Sequence, residues 1–318
     1  MSGLRIPAGF SVEVTAPATS ANLGAGYDSF GLALGFADTV RARVSEAAVP
    51  HEARVDITGE GERSLPRSGD HLILRIAEQI LAARDVAGGD RLVLECENAI
   101  PQSRGMGSSA AAVVAGLSIA DAASTAAGLP EPTAAEKLAW ATHFEGHPDN
   151  AAPALFGGAT VSWYPEPERA SSISLPVHPE VRVAVIIPQE RLDTGIARDL
   201  LPRTVPHADA AANSAIAGLF VHALCHDPSL LLDATVDRLH QEYRRPAMLA
   251  SLERIDLLRA TGLAAVVSGA GPTVLVLGTG DDLGERVSAA LGDDDADVVP
   301  TVIAENGATT LSLRRLSA

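Results

Sequence analysis

Lysine is all but missing from this chain. Lys137 is the single one, and arginine supplies the rest of the 24 basic residues. Against 40 acidic residues, the formal net charge is −16. So acidic a chain lacks the basic face that nucleic-acid binders need, which excludes that class of partner. It also means that drawing in an anionic ligand takes a local basic cluster, so single arginines become informative. Cysteine is scarce too, and two thiols cannot build a disulfide framework. Cys96 alternates in phase with Leu92 and Leu94, which points it at a core. Cys225 sits between His222 and His226, one helical turn apart, but with no fourth ligand nearby a plain histidine pair is preferred over a zinc site. No run approaches the roughly 20 apolar residues of a membrane helix. Residues 1–10 lack the charged start and apolar stretch of a signal peptide, and no internal repeat is present. The expectation is a cytoplasmic protein with no membrane partner. At 318 residues and 47% apolar, the chain can bury a substantial core and form two domains.

What is present is a loop. Pro101, Gln102, Ser103, Arg104, Gly105, Met106, Gly107, Ser108, Ser109, Ala110 and Ala111 run between an alternating apolar stretch at 92–100 and an Ala-rich stretch to about residue 127. The first reads as a strand and the second as a helix. A glycine turn that opens a helix aims backbone N–H groups at one spot, and the helix dipole favours an anion there. Ser108 and Ser109 can add hydroxyl contacts to a phosphate or a Mg²⁺. The Walker pattern is ruled out because it needs a lysine, and the dinucleotide fingerprint because no third glycine follows Gly107 three residues on.

Elsewhere the patterns are mixed. Strands are expected at 12–16, 38–44, 55–59, 159–164, 182–188, 263–268 and 273–277. Helices are expected at 72–83, 209–225 and 249–261, and from Thr133, where Thr133 and Glu136 are spaced as a capping box. The Pro- and Ser-rich stretch 165–172 reads as a linker and divides the chain into domains 1–167 and 168–318. Residues 292–297 form an acidic loop. Without the regular alternation of a doubly wound sheet, the fold class is α+β in two layers. Taken singly, Glu145 reads as a solvated helix end and Arg198 and Arg244 as surface charges. Ser268-Gly-Ala-Gly-Pro-Thr273 reads equally well as a tight turn or as backbone that approaches another segment closely.

Four segments in order carry a resemblance. They are Ala16-Pro-Ala-Thr-Ser-Ala-Asn-Leu-Gly-Ala-Gly-Tyr-Asp-Ser-Phe-Gly-Leu-Ala-Leu34, the loop Pro101-x-x-x-Gly-x-Gly-Ser-Ser-Ala-Ala111, Glu145-Gly-His-Pro-Asp-Asn-Ala-Ala-Pro-Ala-Leu-Phe-Gly-Gly158 and Ser268–Thr273. Together they resemble the GHMP kinases; Asn22, Asp28 and the His-Pro-Asp-Asn stretch look like the homoserine kinases among them. The resemblance implies a two-domain fold, with an N-terminal ATP-loop domain and a C-terminal ferredoxin-like domain, that is often homodimeric; no residue marks an interface. It implies phosphoryl transfer from ATP to L-homoserine, in the threonine branch of amino-acid synthesis. Residues 101–111 would hold the nucleotide, with Mg²⁺ on Glu145 and a loop serine, Ser109 rather than Ser108. Arginine forks suit the substrate carboxylate, and Arg198 and Arg244 stand in matching contexts. Asp149 would take the ammonium, Asn22 and Asn150 would orient polar groups, and Asp28 would do the same or brace the Asn22 loop. His147 and Thr194 complete the substrate set. The implied catalytic set is Asn22, Glu145, Asp149 and Arg198, with Asp149 either anchor or base. A carboxylate of ordinary pKa, about 3.9, is a poor base toward an alcohol unless a dry site raises it. Two departures stand out. Met106 replaces a usual leucine, and Asp70-His71 stands where the family often has an asparagine that meets the adenine. A kinase for another small alcohol, or a binding protein on the same fold, would need a different clamp or would have lost Glu145 and the loop serines.

Overall fold

The computed structural model describes residues 3–47 and 49–313, with the side chain of Thr194 outside that description. Two sheets organise it. The larger has seven strands. Its path runs β13 (Thr309–Ser312), β2 (Ser11–Ala21), β3 (Phe30–Val44), β6 (Leu92–Asn98) and β4 (Val55–Gly59), with β7 (Ala159–Glu166) paired to the far end of β3 and β8 (Arg169–Leu175) paired to β7. The smaller has four antiparallel strands in the order β10 (Ala264–Val267), β11 (Val274–Thr279), β9 (Val181–Ile187) and β12 (Asp297–Thr301). A two-residue parallel pair, β1 (Leu4–Arg5) with β5 (Val86–Ala87), closes one edge.

The strand β2 alternates buried and half-buried residues up to Thr15 and is wholly buried from Ala16 onward. That change marks where α2, α4 and the turn at 268–271 close over the strand. The helices are α1 (Leu72–Ala83), α2 (Ser108–Ala126), α3 (Ala134–Glu145) and α4 (Pro148–Phe156). The expected capping box closes α3: Thr133 accepts from the Glu136 N–H, and Glu136 accepts from Thr133. In the smaller sheet, β9 is buried on both faces, so it reads as an unbroken apolar run. Val183, Val185 and Ile187 join the large core, together with Phe220 of α6 (His207–Cys225). Ala184 and Ile186 face a second core built by α9 (Leu249–Ala260) and α10 (Leu283–Leu291). Short helices α5 (Thr194–Asp199), α7 (Leu231–Ala234) and α8 (Gln241–Arg244) fill the junction between the sheets.

Two readings are corrected. The stretch 165–172 is no linker. It is the turn and flanks of the β7–β8 hairpin, in which Glu166 pairs with Arg169, so its prolines and serines serve an edge hairpin. The division at 167/168 therefore falls inside one sheet. The chain changes sheets between Leu175 and Val181, and it returns to the first sheet through β13. Residues 12–16 and 38–44 are parts of much longer strands, because Gly, Ala and Ser at 18–21 and 31–35 hide the alternation that marks a strand. Separately, α2 and α6 are both long and apolar enough to cross a membrane, although their apolar residues are not consecutive; α2 is mostly buried in the fold, and α6 is only 22% buried.

Candidate active site

A cleft of ≈ 320 Å³ opens where the two sheets meet. The loop after β6 forms one wall. Gly105 and Gly107 adopt positive φ, 75° and 65°, and neither position has room for a side chain. A Cβ on Gly105 would stand 2.2 Å from the carbonyl oxygen of Ser268, and one on Gly107 would stand 1.9 Å from Thr19 Oγ1. The loop is thus squeezed between the end of β2 and the Ser268–Thr273 turn. Hydrogen bonds fix it from both sides: Thr19 N–H donates to Met106 O, Thr273 N–H to Arg104 O, and Ser268 Oγ to Gly105 O at 2.6 Å. Of the two readings of that turn, close approach is what the structure shows. Gly107 is the N-cap of α2, and no side chain caps it. The first N–H groups of a 19-residue helix are left for an anion at the cleft wall. Gly107→Ala is therefore expected to cost about 1–3 kcal/mol of stability and to raise the nucleotide KM about tenfold or more. Thermal unfolding and initial rates against nucleotide concentration check both.

Ser109 Oγ donates to Glu145 Oε2 at 2.8 Å. Glu145 is the last residue of α3, and Gly146 turns the chain sharply into α4. Burial pushes the Glu145 carboxyl up to about 7, and the Ser109 hydrogen bond only partly opposes this. Ser108 lines the cleft as well, but it is Ser109 whose hydroxyl meets Glu145.

At the N-terminus of α4, His147 is the cap residue, Pro148 sets the first turn, and Asp149 follows, 2% exposed. Burial and then the charge of Asp28 raise the Asp149 carboxyl to about 7, against the Asn150 N–H at 2.9 Å and the Arg198 charge. Gly31 on β3 is required here, because a Cβ would lie 1.9 Å from Asp149 O. Asn150 Oδ1 accepts from Thr19 Oγ1 at 2.8 Å, tying α4 to the strand that also presses on Gly107.

Asn22 has left-handed backbone, φ 59°. Its Oδ1 accepts the Asp28 N–H at 2.8 Å and its Nδ2 donates to Gly269 O at 3.0 Å. Both ends of the amide are engaged in holding the loop and the turn together. Asp28 grips Arg198 of α5 through two contacts, 2.8 and 3.4 Å, and stands behind the cleft wall that Arg198 helps form. Arg244 of α8 is 1% exposed and also lines the cleft. Among the described residues no carboxylate oxygen lies within 4.0 Å of its nitrogens, so its charge is buried without an ion pair.

Of the sequence-derived residues, the structure gathers Asn22, Ser103, Gly105, Met106, Gly107, Ser108, Ser109, Glu145, His147, Asp149, Asn150, Arg198 and Arg244 around the cleft. Ala110 and Ala111 are fully buried beneath the loop. Pro101, Gln102 and Arg104 are not part of the cleft lining, and Arg104 reaches instead to Gln189 O on the opposite side. Thr194 begins α5, with its side chain outside the described part. His71 is 4% exposed at the start of α1; its Nδ1 has no partner, and burial lowers its pKa to about 4. Sequence reasoning passed over Leu192 and Asp193 in the lining, and over Tyr27, whose ring lies 5.8 Å from the Arg198 guanidinium carbon and 5.5 Å from that of Arg244. Tyr27 stood inside a quoted motif, but nothing in its spacing announces a spacer between two cations.

Comparison with known proteins agrees with this geometry. Residues 71–158 match the model of the GHMP kinase N-terminal domain, and residues 220–296 match that of the C-terminal domain. A homoserine kinase of Streptomyces coelicolor is 45% identical over 309 residues, 96% of each chain. One from Rhodococcus erythropolis is 42% identical, covering 91% of this chain and 93% of the relative. A putative homoserine kinase from Listeria monocytogenes superposes with a TM-score of 0.72 at 28% identity, covering 94% and 99%. A mevalonate diphosphate decarboxylase from Staphylococcus aureus, 12% identical with a TM-score of 0.69 over 95% and 98%, shares the fold. On loop, site and kinship together, the chain belongs to the GHMP kinases, in their homoserine kinase branch.

Proposed function

We propose that the protein is an ATP-dependent L-homoserine kinase, transferring the γ-phosphate of ATP to the substrate hydroxyl to give O-phospho-L-homoserine and ADP, a step of threonine biosynthesis. The observation that carries the reading is Arg244, a buried cation without an ion-pair partner, facing the same cleft as the buried Asp149 and the phosphate loop. A zwitterion answers both. Its carboxylate satisfies the Arg244 fork, its ammonium offsets the desolvation of Asp149, and its hydroxyl tip is left toward the loop. Arg198, already half-neutralised by Asp28, adds field at the same end.

Phosphoryl transfer needs positioning and charge stabilisation more than covalent help from the protein. The Gly105–Ser109 backbone and the α2 terminus hold the phosphates. The half-buried Glu145 carboxyl and Ser109 hydroxyl, 2.8 Å apart, are hard oxygen donors suited to a Mg²⁺ ion. Bound there, Mg²⁺ would neutralise charge on the β- and γ-phosphates. With Asp149 occupied by the ammonium, the hydroxyl proton leaves with the transferred phosphate oxygens. Asp149 is thereby an anchor first, and its raised pKa lets it serve as base if the ammonium is not seated.

A coupled ADP-release assay with ATP, Mg²⁺ and a panel of L-homoserine, L-serine, mevalonate and galactose tests this. Turnover selective for homoserine is expected. Selective turnover of another alcohol would keep the kinase and discard the clamp. No turnover on any, with nucleotide still bound, would leave a binding protein. The reading extends to a cytoplasmic homodimer that takes neither nucleic acid nor membrane as partner. Sedimentation equilibrium checks the dimer.

A further inference from the structure

Arg244 is held by three acceptors. Its Nε donates to Ala197 O at 3.2 Å, and its Nη1 donates to Gly269 O at 3.2 Å and faces His240 Nδ1 at 3.3 Å. His240 is fully buried. Its other nitrogen, Nε2, stands 3.0 Å from Gly24 O and 3.5 Å from Asp237 Oδ1. These partners select one form of the ring. A guanidinium has only donors, so Nδ1 must accept and carries no proton. A carbonyl only accepts, so Nε2 must carry the proton and donate it to Gly24 O. A cationic ring would set an N–H against a guanidinium N–H, with two positive charges buried side by side. Burial pulls the His240 pKa down in the same direction, with the Asp237 charge opposing and the Arg244 charge assisting.

The surroundings hold the ring in place. Asp237 accepts the backbone N–H groups of Leu239, His240 and Gln241, which fixes the turn that carries the imidazole. Tyr27 packs against it, ring centroids 5.3 Å apart, and also covers Arg244. Gly24 belongs to the same loop as Asn22 and Asp28. It is pressed against Thr235, whose carbonyl oxygen would lie 2.8 Å from an added Cβ. The imidazole therefore ties the Asn22–Asp28 loop to the one cleft cation that lacks an ion pair.

We propose that His240 is a positioning residue: as the neutral Nε2–H tautomer it bridges Gly24 O and the Arg244 guanidinium, and so fixes the direction in which the fork meets the substrate carboxylate. The inference rests on the reading of Arg244 as the carboxylate clamp.

Two variants and one second substrate test it. His240→Phe keeps the ring and loses both hydrogen bonds. His240→Asn places an amide oxygen near the Nδ1 position and restores the acceptor. The Phe variant is expected to raise KM for homoserine about 10- to 100-fold, the scale of a hydrogen bond to a charged group, with kcat and the KM for ATP within about twofold. The Asn variant recovers most of the loss. In an Arg244→Gln background His240→Phe adds less than about twofold, because the two act through one contact. Turnover of 3-aminopropan-1-ol, which lacks the carboxylate, is unchanged by His240→Phe. Equal losses on both substrates, or full additivity with Arg244→Gln, would reduce His240 to packing and overturn the proposal. If Arg244→Gln leaves the homoserine KM unchanged, the clamp itself fails, and this inference with it. If Arg244→Gln raises that KM and His240→Phe does not, this inference alone fails. Nitrogen-15 spectra of the imidazole give a readout independent of substrate: the proton is expected on Nε2 between about pH 6 and 8, and a proton on Nδ1 would overturn the bridge.

Discussion

Glu145→Gln lowers kcat by about two to three orders of magnitude, the scale of losing one preorganised electrostatic element in a phosphoryl- or acyl-transfer site, while KM for homoserine moves by less than about threefold. The amide keeps the shape and can still accept from Ser109, so the loss reports the charge. It reports it twice, because the same substitution changes stability in the opposite sense. The Glu145 carboxyl is raised to about 7 by burial, from an ordinary 4.5. Between those values the folded state keeps a proton that the unfolded chain has given up, so stability falls as pH rises through that window. The deficit of the wild type at pH 8 is on the order of 2–3 kcal/mol. Without nucleotide and Mg²⁺, the Gln variant should melt higher than the wild type at about pH 8 and level with it at about pH 4, below the window. With both ligands bound the difference at pH 8 should shrink or reverse. Paired kinetics and melting curves check the two halves together; a fully active Gln variant would remove Glu145 from the cation's site.

How far the sequence could anticipate this is clearest at particular residues. The phosphate loop was legible because its parts are local: a strand, two glycines and a helix start lie within one short stretch, and each has a one-residue signature. The capping box at Thr133 and Glu136 was legible for the same reason. Three strands of the four-stranded sheet were legible as separate apolar runs, but β12 was not read as a strand, and its pairing with β9 joins residues more than 100 positions apart. Residues 165–172, the turn and flanks of the β7–β8 hairpin, were misread as a linker because edge strands tolerate the polar and proline residues that also mark linkers. In the site, Asn22 and Asp28 were found as a pair, with bracing as one of two readings for Asp28, but what Asn22 itself ties down was not legible. Its role depends on Gly269, 247 residues away, accepting from the Asn22 amide. Tyr27 and His240 escaped because their work is to shape two arginines, and a spacer or a tautomer leaves no pattern in one chain. Asp149 and Glu145 could be picked out as carboxylates in motifs; their burial, which decides what they can do, is a property of the packed junction.

That burial makes Asp149→Asn the second large effect. The variant is expected to raise KM for homoserine about 100-fold or more, because it leaves a buried substrate ammonium without its counter-charge, while kcat at saturation falls by less than about tenfold. Asn keeps the acceptor for the Asn150 N–H, so α4 should still form. The carboxyl of Asp149 is raised to about 7, from an ordinary 3.8, by burial and by Asp28. The ammonium binds the ionised form, so in the absence of nucleotide wild-type affinity for homoserine should fall about tenfold for each pH unit below 7, with a proton released on binding. The Asn variant should bind weakly with no such slope. Calorimetric titration in two buffers of different ionisation enthalpy measures both the affinity and the proton count. A loss confined to kcat, with KM and the binding slope intact, would make Asp149 the base and not the anchor. The arrangement would then be one in which the substrate ammonium sits elsewhere, on Asp193 of the cleft lining or on Asp28, and in the second case the Arg198 fork would have to open to receive it.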